Sequence, residues 1–141
     1  RAAIDLKKLG ARTIWIDCDV LQADGGTRTA AITGSFVALS LAINKLVNEG
    51  VILEYPIPHP VAAVSVGVVE GQPLLDLCYV EDAAADVDMN LVMTGPGEYI
   101  EVQGSGEEAT FSADQLTALL AHGKKGVDEL VQIQKAAIDA A

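Results

Sequence analysis

Residues 61–104 hold four strand-like runs so close together that only turns fit between them. VAAVSVGVV (61–69) and PLLDLCYV (73–80) flank an EGQ turn, and VDMNLVMT (87–94) and YIEVQG (99–104) flank GPGE. Runs of this length, rich in β-branched residues and bounded by Gly and Pro, read as strands joined by hairpin turns. A sheet must bury at least one face, so the rest of the chain has to supply its cover. Residues 28–48 do so: Ile32, Phe36, Leu39, Ile43 and Leu46 recur at spacings of three and four, the stripe of a long amphipathic helix.

FSADQL offers Ser112 and Gln115 as a capping box opening a short helix over 113–122. A last helix is predicted from about Gly126, with Val127, Leu130, Gln134 and Ile138 along one side. Near the start, Ala3, Leu6 and Leu9 predict a helix stopped by Gly10, with no cap ahead of it. TIWIDCDVL (13–21) alternates Ile14, Ile16, Cys18 and Val20 with Trp15, Asp17 and Asp19, predicting a strand with one acidic face. EYPIPHPV is a proline-punctuated connector and EDAAAD a loop. The order is helix, strand, helix, four strands, two helices. It predicts a single α+β domain, an α/β sandwich with a mixed sheet. The first helix has no start signal, which suggests a piece of a longer chain.

Half of the 141 residues are apolar and 21% charged, enough for a packed core. With 4% aromatics, that core rests on Ala, Val, Ile and Leu. No apolar run approaches the roughly 18 residues of a membrane span, and no secretory leader opens the chain. Cys18 and Cys78 lack metal-ligand spacing and read as reduced, buried thiols of a cytoplasmic protein. Twenty acids against nine bases give a net charge of −11, which argues against non-specific nucleic-acid binding by this chain alone.

QADGGTRTAAITGSF (22–36) places Gly25 and Gly26 immediately before the long helix. The first amides of a helix have no intrahelical acceptors and sit at the positive end of its dipole, so this junction suits an oxyanion. Gly25 and Gly26 allow close backbone approach. Thr27 adds a hydroxyl or a cap, and Arg28 a fork matched to phosphate. The same residues also make a plain turn, with Thr27 as cap and Arg28 in solvent. The lysine and glycine spacing of a Walker loop are missing.

Glu81, Asp82, Asp86 and Asp88 fall within eight residues around three alanines. Converging carboxylates can hold a divalent cation or supply a general acid. A solvated acidic loop has the same composition. Asp88 and Asn90 share one strand face. His59 and His122 are isolated and read as surface residues. Ser35 and Ser40 lie inside the helix with no nucleophile elbow.

DCDVLQADGGTRTAAITG, followed by DVDMNLVMT and EVQG in that order, resembles the ribonuclease PH family of phosphorolytic 3′–5′ exoribonucleases. Its wider relatives include polynucleotide phosphorylase and exosome core subunits, and the resemblance runs along essentially the whole chain. It implies a ribosomal protein S5 domain 2-like β-α fold, with a mixed sheet packed by helices. It implies that Gly26, Thr27 and Arg28 bind inorganic phosphate as co-substrate. Asp82 and Asp88 would be the catalytic carboxylates, placed for acid chemistry or for Mg²⁺. The implied activity trims transfer-RNA 3′ ends and processes ribosomal RNA, releasing nucleoside diphosphates.

The implied assembly is a cytoplasmic homohexamer, a trimer of dimers, with no membrane contact. Family members extend further at the N-terminus, so residues 1–141 are expected to be the C-terminal portion of one such domain, inactive alone. The remaining part would carry a further phosphate-binding arginine and the basic RNA-facing surface, which reconciles RNA binding with −11. Two other readings stand beside this one: a non-catalytic subunit of an exosome-like ring, and an enzyme acting on a small phosphate compound.

Overall fold

A computed structural model describes residues 1–106 and 109–141. In chain order the elements are α1 (Leu6–Leu9), α2 (Thr27–Asn48), β1 (Val61–Val69), β2 (Gln72–Leu75), α3 (Tyr79–Ala83), β3 (Val87–Thr94), β4 (Tyr99–Gly106) and α4 (Ala113–Asp139). The strands form one sheet in the order β2-β1-β3-β4, and every pairing is antiparallel. The α+β class stands. The sheet of the described residues is antiparallel rather than mixed: short turns join β1 to β2 and β3 to β4, and β3 returns beside β1 after β2 and α3.

The two faces of the sheet follow from strand alternation. One carries Ala62, Val64, Val66 and Val68 of β1 with Val87, Met89, Leu91 and Met93 of β3, and it is buried under Leu119 and Val127 of α4. The other carries Val61 and Ala63 with Val92. There it packs against Phe36, Leu39 and Ile43 of α2, with Leu9, Ile52 and Ile57 around them.

Helix α4 runs unbroken through the predicted gap between 122 and 126. Gly123 and Gly126 are packing positions there and do not stop the helix. A Cβ on Gly123 would stand 2.0 Å from Leu91 Cδ1, and one on Gly126 2.7 Å from Leu75 Cδ1. The capping box forms as expected: Gln115 N–H donates to Ser112 Oγ at 3.1 Å, and Ser112 N–H to Gln115 Oε1 at 2.9 Å.

Strand β2 reaches only Val66–Val69 of β1, which leaves the start of β1 as an open edge. Side chains close it. The Thr33 hydroxyl donates to Ala63 C=O at 3.0 Å and accepts from Ala63 N–H at 2.9 Å. Gln134 Nε2 bridges Val61 C=O at 3.0 Å and Thr33 C=O at 2.9 Å. Buried backbone groups need partners, and here α2 and α4 provide them where a strand is missing.

Several expectations fail for physical reasons. Residues 13–21 form no strand, since no described segment pairs with them; Trp15 and Leu21 are 89% and 93% exposed. The run 73–80 stops at Leu75, because Asp76 turns to φ 59° and the chain enters α3 at Tyr79. EDAAAD is therefore helical over Glu81–Ala83 before it loops. The first helix shrinks to Leu6–Leu9 and does have a cap, Asp5, whose carboxylate accepts from Lys7 and Lys8 N–H. Cys18 and Cys78 are exposed rather than buried, and neither is in a disulfide. Contrary to the reading that no run is long enough, α2 is long and apolar enough to cross a membrane by length and composition.

Candidate active site

The start of α2 lies against the second face of the sheet where that face turns polar. Register places Ser65, Asn90 and Gln103 side by side, with Gly67, Asp88 and Ser105 in the next row toward the β3 start. Gly26 is the N-cap of α2 in a left-handed conformation, φ 69° and ψ 28°, which glycine adopts without strain. A Cβ there would lie 3.3 Å from Ser65 Oγ, a buried hydroxyl that has no partner among the described residues. Diagonal neighbours across strands are roughly 7–8 Å apart, so Ser65 links the helix start to the row that holds Asp88.

Thr27 is the first helical residue and not the cap. Its side chain is exposed and makes no hydrogen bond among the described residues. Thr29 instead folds back, its hydroxyl donating to Gly26 C=O at 2.8 Å. Ala30 is the first residue of the helix whose N–H finds an acceptor, Gly26 C=O at 2.9 Å. Three amides ahead of it, those of Thr27, Arg28 and Thr29, have no acceptor among the described residues and are open to a ligand or water.

Arg28 is neither loose in solvent nor empty-handed. Its Nη2 donates to Glu101 Oε2 at 2.9 Å, and Nη1 lies 2.9 Å from Glu101 Oε1. This hydrogen bond raises the guanidinium above its ordinary value and holds the Glu101 carboxyl below the usual carboxylate range. Glu101 faces Val92 across the strands and so shares a face with Asn90 and Asp88. The guanidinium therefore reaches from the β1 side of that face across to β4.

The acid segment is tied to the glycine turn by Asp24. One oxygen, Oδ1, accepts from Gly25 N–H at 2.9 Å and from Tyr79 N–H at 2.5 Å. These bonds, that from Tyr79 first, hold the Asp24 carboxyl below the usual range. The contact is close: a Cβ on Gly25 would stand 2.0 Å from Leu77 C=O, so any larger residue must move backbone. Beyond it, Leu77 lies over Gly67, the β1 residue facing Asp88.

The four clustered acids part company. Glu81 turns back to accept from Cys78 N–H at 2.9 Å, capping α3. Asp82 is exposed on α3, Asp86 is exposed just before β3, and Asp88 is half-buried on β3. No three metal-ligating side chains converge among the described residues. Asp82 lies on α3 and Asp88 is the second residue of β3, so any donor set here numbers two side chains at most among the described residues. His59 and His122 are exposed, as expected; His122 Nδ1 lies 2.9 Å from Ala118 C=O. Asp17 and Asp19 are exposed in the 13–21 segment. That segment and α2 enclose a cavity of about 560 Å³ with Thr27 on its wall.

Reading the sequence alone misses Asp24, Ser65 and Glu101. Asp24 carried a signal, since Asp before Gly-Gly is a favoured turn opener. Glu101 carried a weaker one: it shares strand parity with Gln103 and Ser105.

Two domain descriptions of the 3′ exoribonuclease family match this chain, domain 1 over residues 1–43 and domain 2 over residues 59–126. The chain belongs to the 3′ exoribonuclease family. Among proteins of this family, the Ribonuclease PH of Halalkalibacterium halodurans is 60% identical over 141 residues, which are 99% of this chain and 55% of that protein. The one from Bacillus pumilus is 61% identical over 137 residues, 96% of this chain and 57% of that protein. The one from Neisseria meningitidis is 59% identical over 141 residues, all of this chain and 58% of that protein. The chain thus spans little more than half the length of these relatives. The crystal structure of rice Rrp46 superposes with a TM-score of 0.64 at 20% identity, covering 84% of this chain and 51% of that one. At that identity the likeness speaks for the fold.

Proposed function

We propose that this chain carries the phosphate-binding and acid parts of a phosphate-dependent 3′–5′ exoribonuclease. One observation carries the reading: the open amides of α2 and the Arg28 guanidinium lie on the same sheet face as Asp88. On this reading, inorganic phosphate sits at Gly26, Thr27 and Arg28, held by backbone N–H groups and a cationic fork. Its oxygen attacks the phosphorus of the terminal phosphodiester. The P–O3′ bond breaks, the last nucleotide leaves as a nucleoside 5′-diphosphate, and the shortened RNA keeps its 3′ oxygen, which takes up a proton.

Nucleophile and target are both anions, so fixed dipoles and positive charge must bring them together. On the same reading Asp82 and Asp88 would give the departing 3′ oxygen a proton or hold a cation beside it. A donor set of two carboxylates suits Mg²⁺, which keeps several waters and binds through one or two carboxylates and substrate phosphates. Bound there, the ion would stabilise charge on the phosphoryl oxygens. The substrate is RNA, with transfer-RNA 3′ ends as the favoured class. Six subunits in a ring would supply basic surface that a chain of charge −11 lacks.

The test uses full-length protein, RNA labelled at its 3′ end, and phosphate. Nucleoside diphosphates should appear only with phosphate present. Monophosphates, or release indifferent to phosphate, would overturn the reading. Replacing Arg28 with Ala should raise the KM for phosphate roughly 10- to 100-fold, the worth of a charge-assisted hydrogen bond to an anion. Asp88→Asn should lower kcat by about 10²–10⁴.

A further inference from the structure

Arg28 is held from a distance. Its Nη2 donates to Oε2 of Glu101, a residue 73 positions away on the outer strand of the sheet, and its Nη1 stands in ionic contact with Oε1. The two side chains are 49% and 37% exposed, so the pair lies in reach of solvent and is not part of the core. Among the described residues Glu101 has no other hydrogen-bond or ionic partner, and Arg28 has none besides Glu101. An exposed pair of this kind contributes little to folding. Its effect falls on the arginine itself.

A guanidinium carries five N–H donors in one plane. The hydrogen bond to Glu101 Oε2 uses one Nη2 hydrogen, while Nη1 stands in ionic contact with Oε1, which accepts no hydrogen bond from the described residues. The Nε donor and the remaining Nη hydrogens stay in that plane, now fixed in direction. A free arginine holds about 2 kcal/mol of rotamer entropy, and an anion that binds it must freeze that motion. An arginine already clamped to the sheet presents its remaining donors without that cost. The clamp also sets the height of the guanidinium over the sheet. Glu101 is opposite Val92, and Asn90 and Asp88 follow on the same strand and the same face.

We propose that Glu101 is a positioning residue for the phosphate site, its carboxylate holding the Arg28 guanidinium so that the unused donors meet inorganic phosphate. The proposal rests on the reading of Arg28 as a phosphate ligand. It assigns Glu101 no contact with the phosphate itself. Hydrogen bonding to Arg28 keeps the Glu101 carboxyl below its ordinary range, so the clamp is charged at neutral pH.

The test is a double-mutant cycle in the full-length protein with Arg28→Ala, Glu101→Gln and both together. Steady-state phosphorolysis at saturating RNA gives KM for phosphate and kcat, and calorimetry with inorganic phosphate alone gives binding without turnover. Glu101→Gln should raise the phosphate KM and Kd about tenfold, equivalent to about 1.4 kcal/mol, and leave kcat within about twofold. Glu101→Asp, one methylene shorter, should weaken phosphate in the same direction, and thermal melting should show every variant folded. The double variant should bind phosphate no more weakly than Arg28→Ala, because the clamp has nothing left to hold.

An unchanged or tighter phosphate Kd in Glu101→Gln, beside a weakened Arg28→Ala, overturns the positioning role; so does an additive double variant. If Arg28→Ala itself leaves phosphate binding intact, the phosphate reading of Arg28 fails instead.

Discussion

The two faces of the sheet share one backbone and part ways along its length. Under α4 the face is apolar from end to end, and Val66, Leu91 and Leu119 are fully buried. Under α2 the face is apolar only around Val61, Ala63 and Val92, then turns to Ser65, Asn90, Asp88, Gln103 and Ser105. A closely packed face punishes any change in volume, whereas a polar face beside a helix start tolerates change in shape and depends on direction. On the proposed reading the α4 side of the sheet is given to packing alone, while the α2 side joins a core to the chemistry.

Substitutions test this division by how far they separate folding from activity. The largest folding effect is expected from Leu91→Ala, which opens a cavity below α4 and should cost about 3 kcal/mol in urea unfolding. Activity per folded molecule should hold, and a matching loss of phosphorolysis would erase the division. Next comes Thr33→Val, which keeps the shape but strips both partners from Ala63. It should cost about 2 kcal/mol by the same measurement. A neutral result would mean that water serves that edge equally well.

Asp24 gives the smallest effect, and one that depends on pH. Its carboxyl is held below the usual range in the folded chain. Its contribution is thus complete above the unfolded value of about 4 and fades as acid protonates the folded form below it. Asp24→Asn should flatten the acid limb of a Tm-against-pH curve and leave the neutral limb parallel. Curves parallel throughout would show that the two amide bonds do not distinguish charge.

Much of this was legible in the residues. Helix α2, strands β1 and β3 and the Ser112–Gln115 box stand where periodicity and capping put them, since those signals are local and their neighbours agree. The misses share a cause, which is that distant partners decide the outcome. The alternation at 13–21 is as regular as that of β3, but an extended run becomes a strand only beside another. Gly123 and Gly126 look like a stop until Leu91 and Leu75 are found against them.

PLLDLCYV reads as one apolar run, and the turn at Asp76, with α3 opening behind it, ends the strand early. In the site, the glycine turn and the acids were visible as local clusters. The pairings of Arg28 with Glu101 and of Asp24 with Tyr79 span 73 and 55 residues, and no local pattern encodes them.

The open edge of β1 carries one more consequence. Ala63 presents a donor and an acceptor to a single side-chain atom, so that atom must be amphoteric: one proton to give and a lone pair to receive. A carboxylate accepts only, an ammonium donates only, and a hydrocarbon does neither. That requirement accounts for an alcohol at position 33, in a helix stretch otherwise built of alanine, isoleucine and glycine. The sheet thereby dictates the chemistry of one residue in a neighbouring helix.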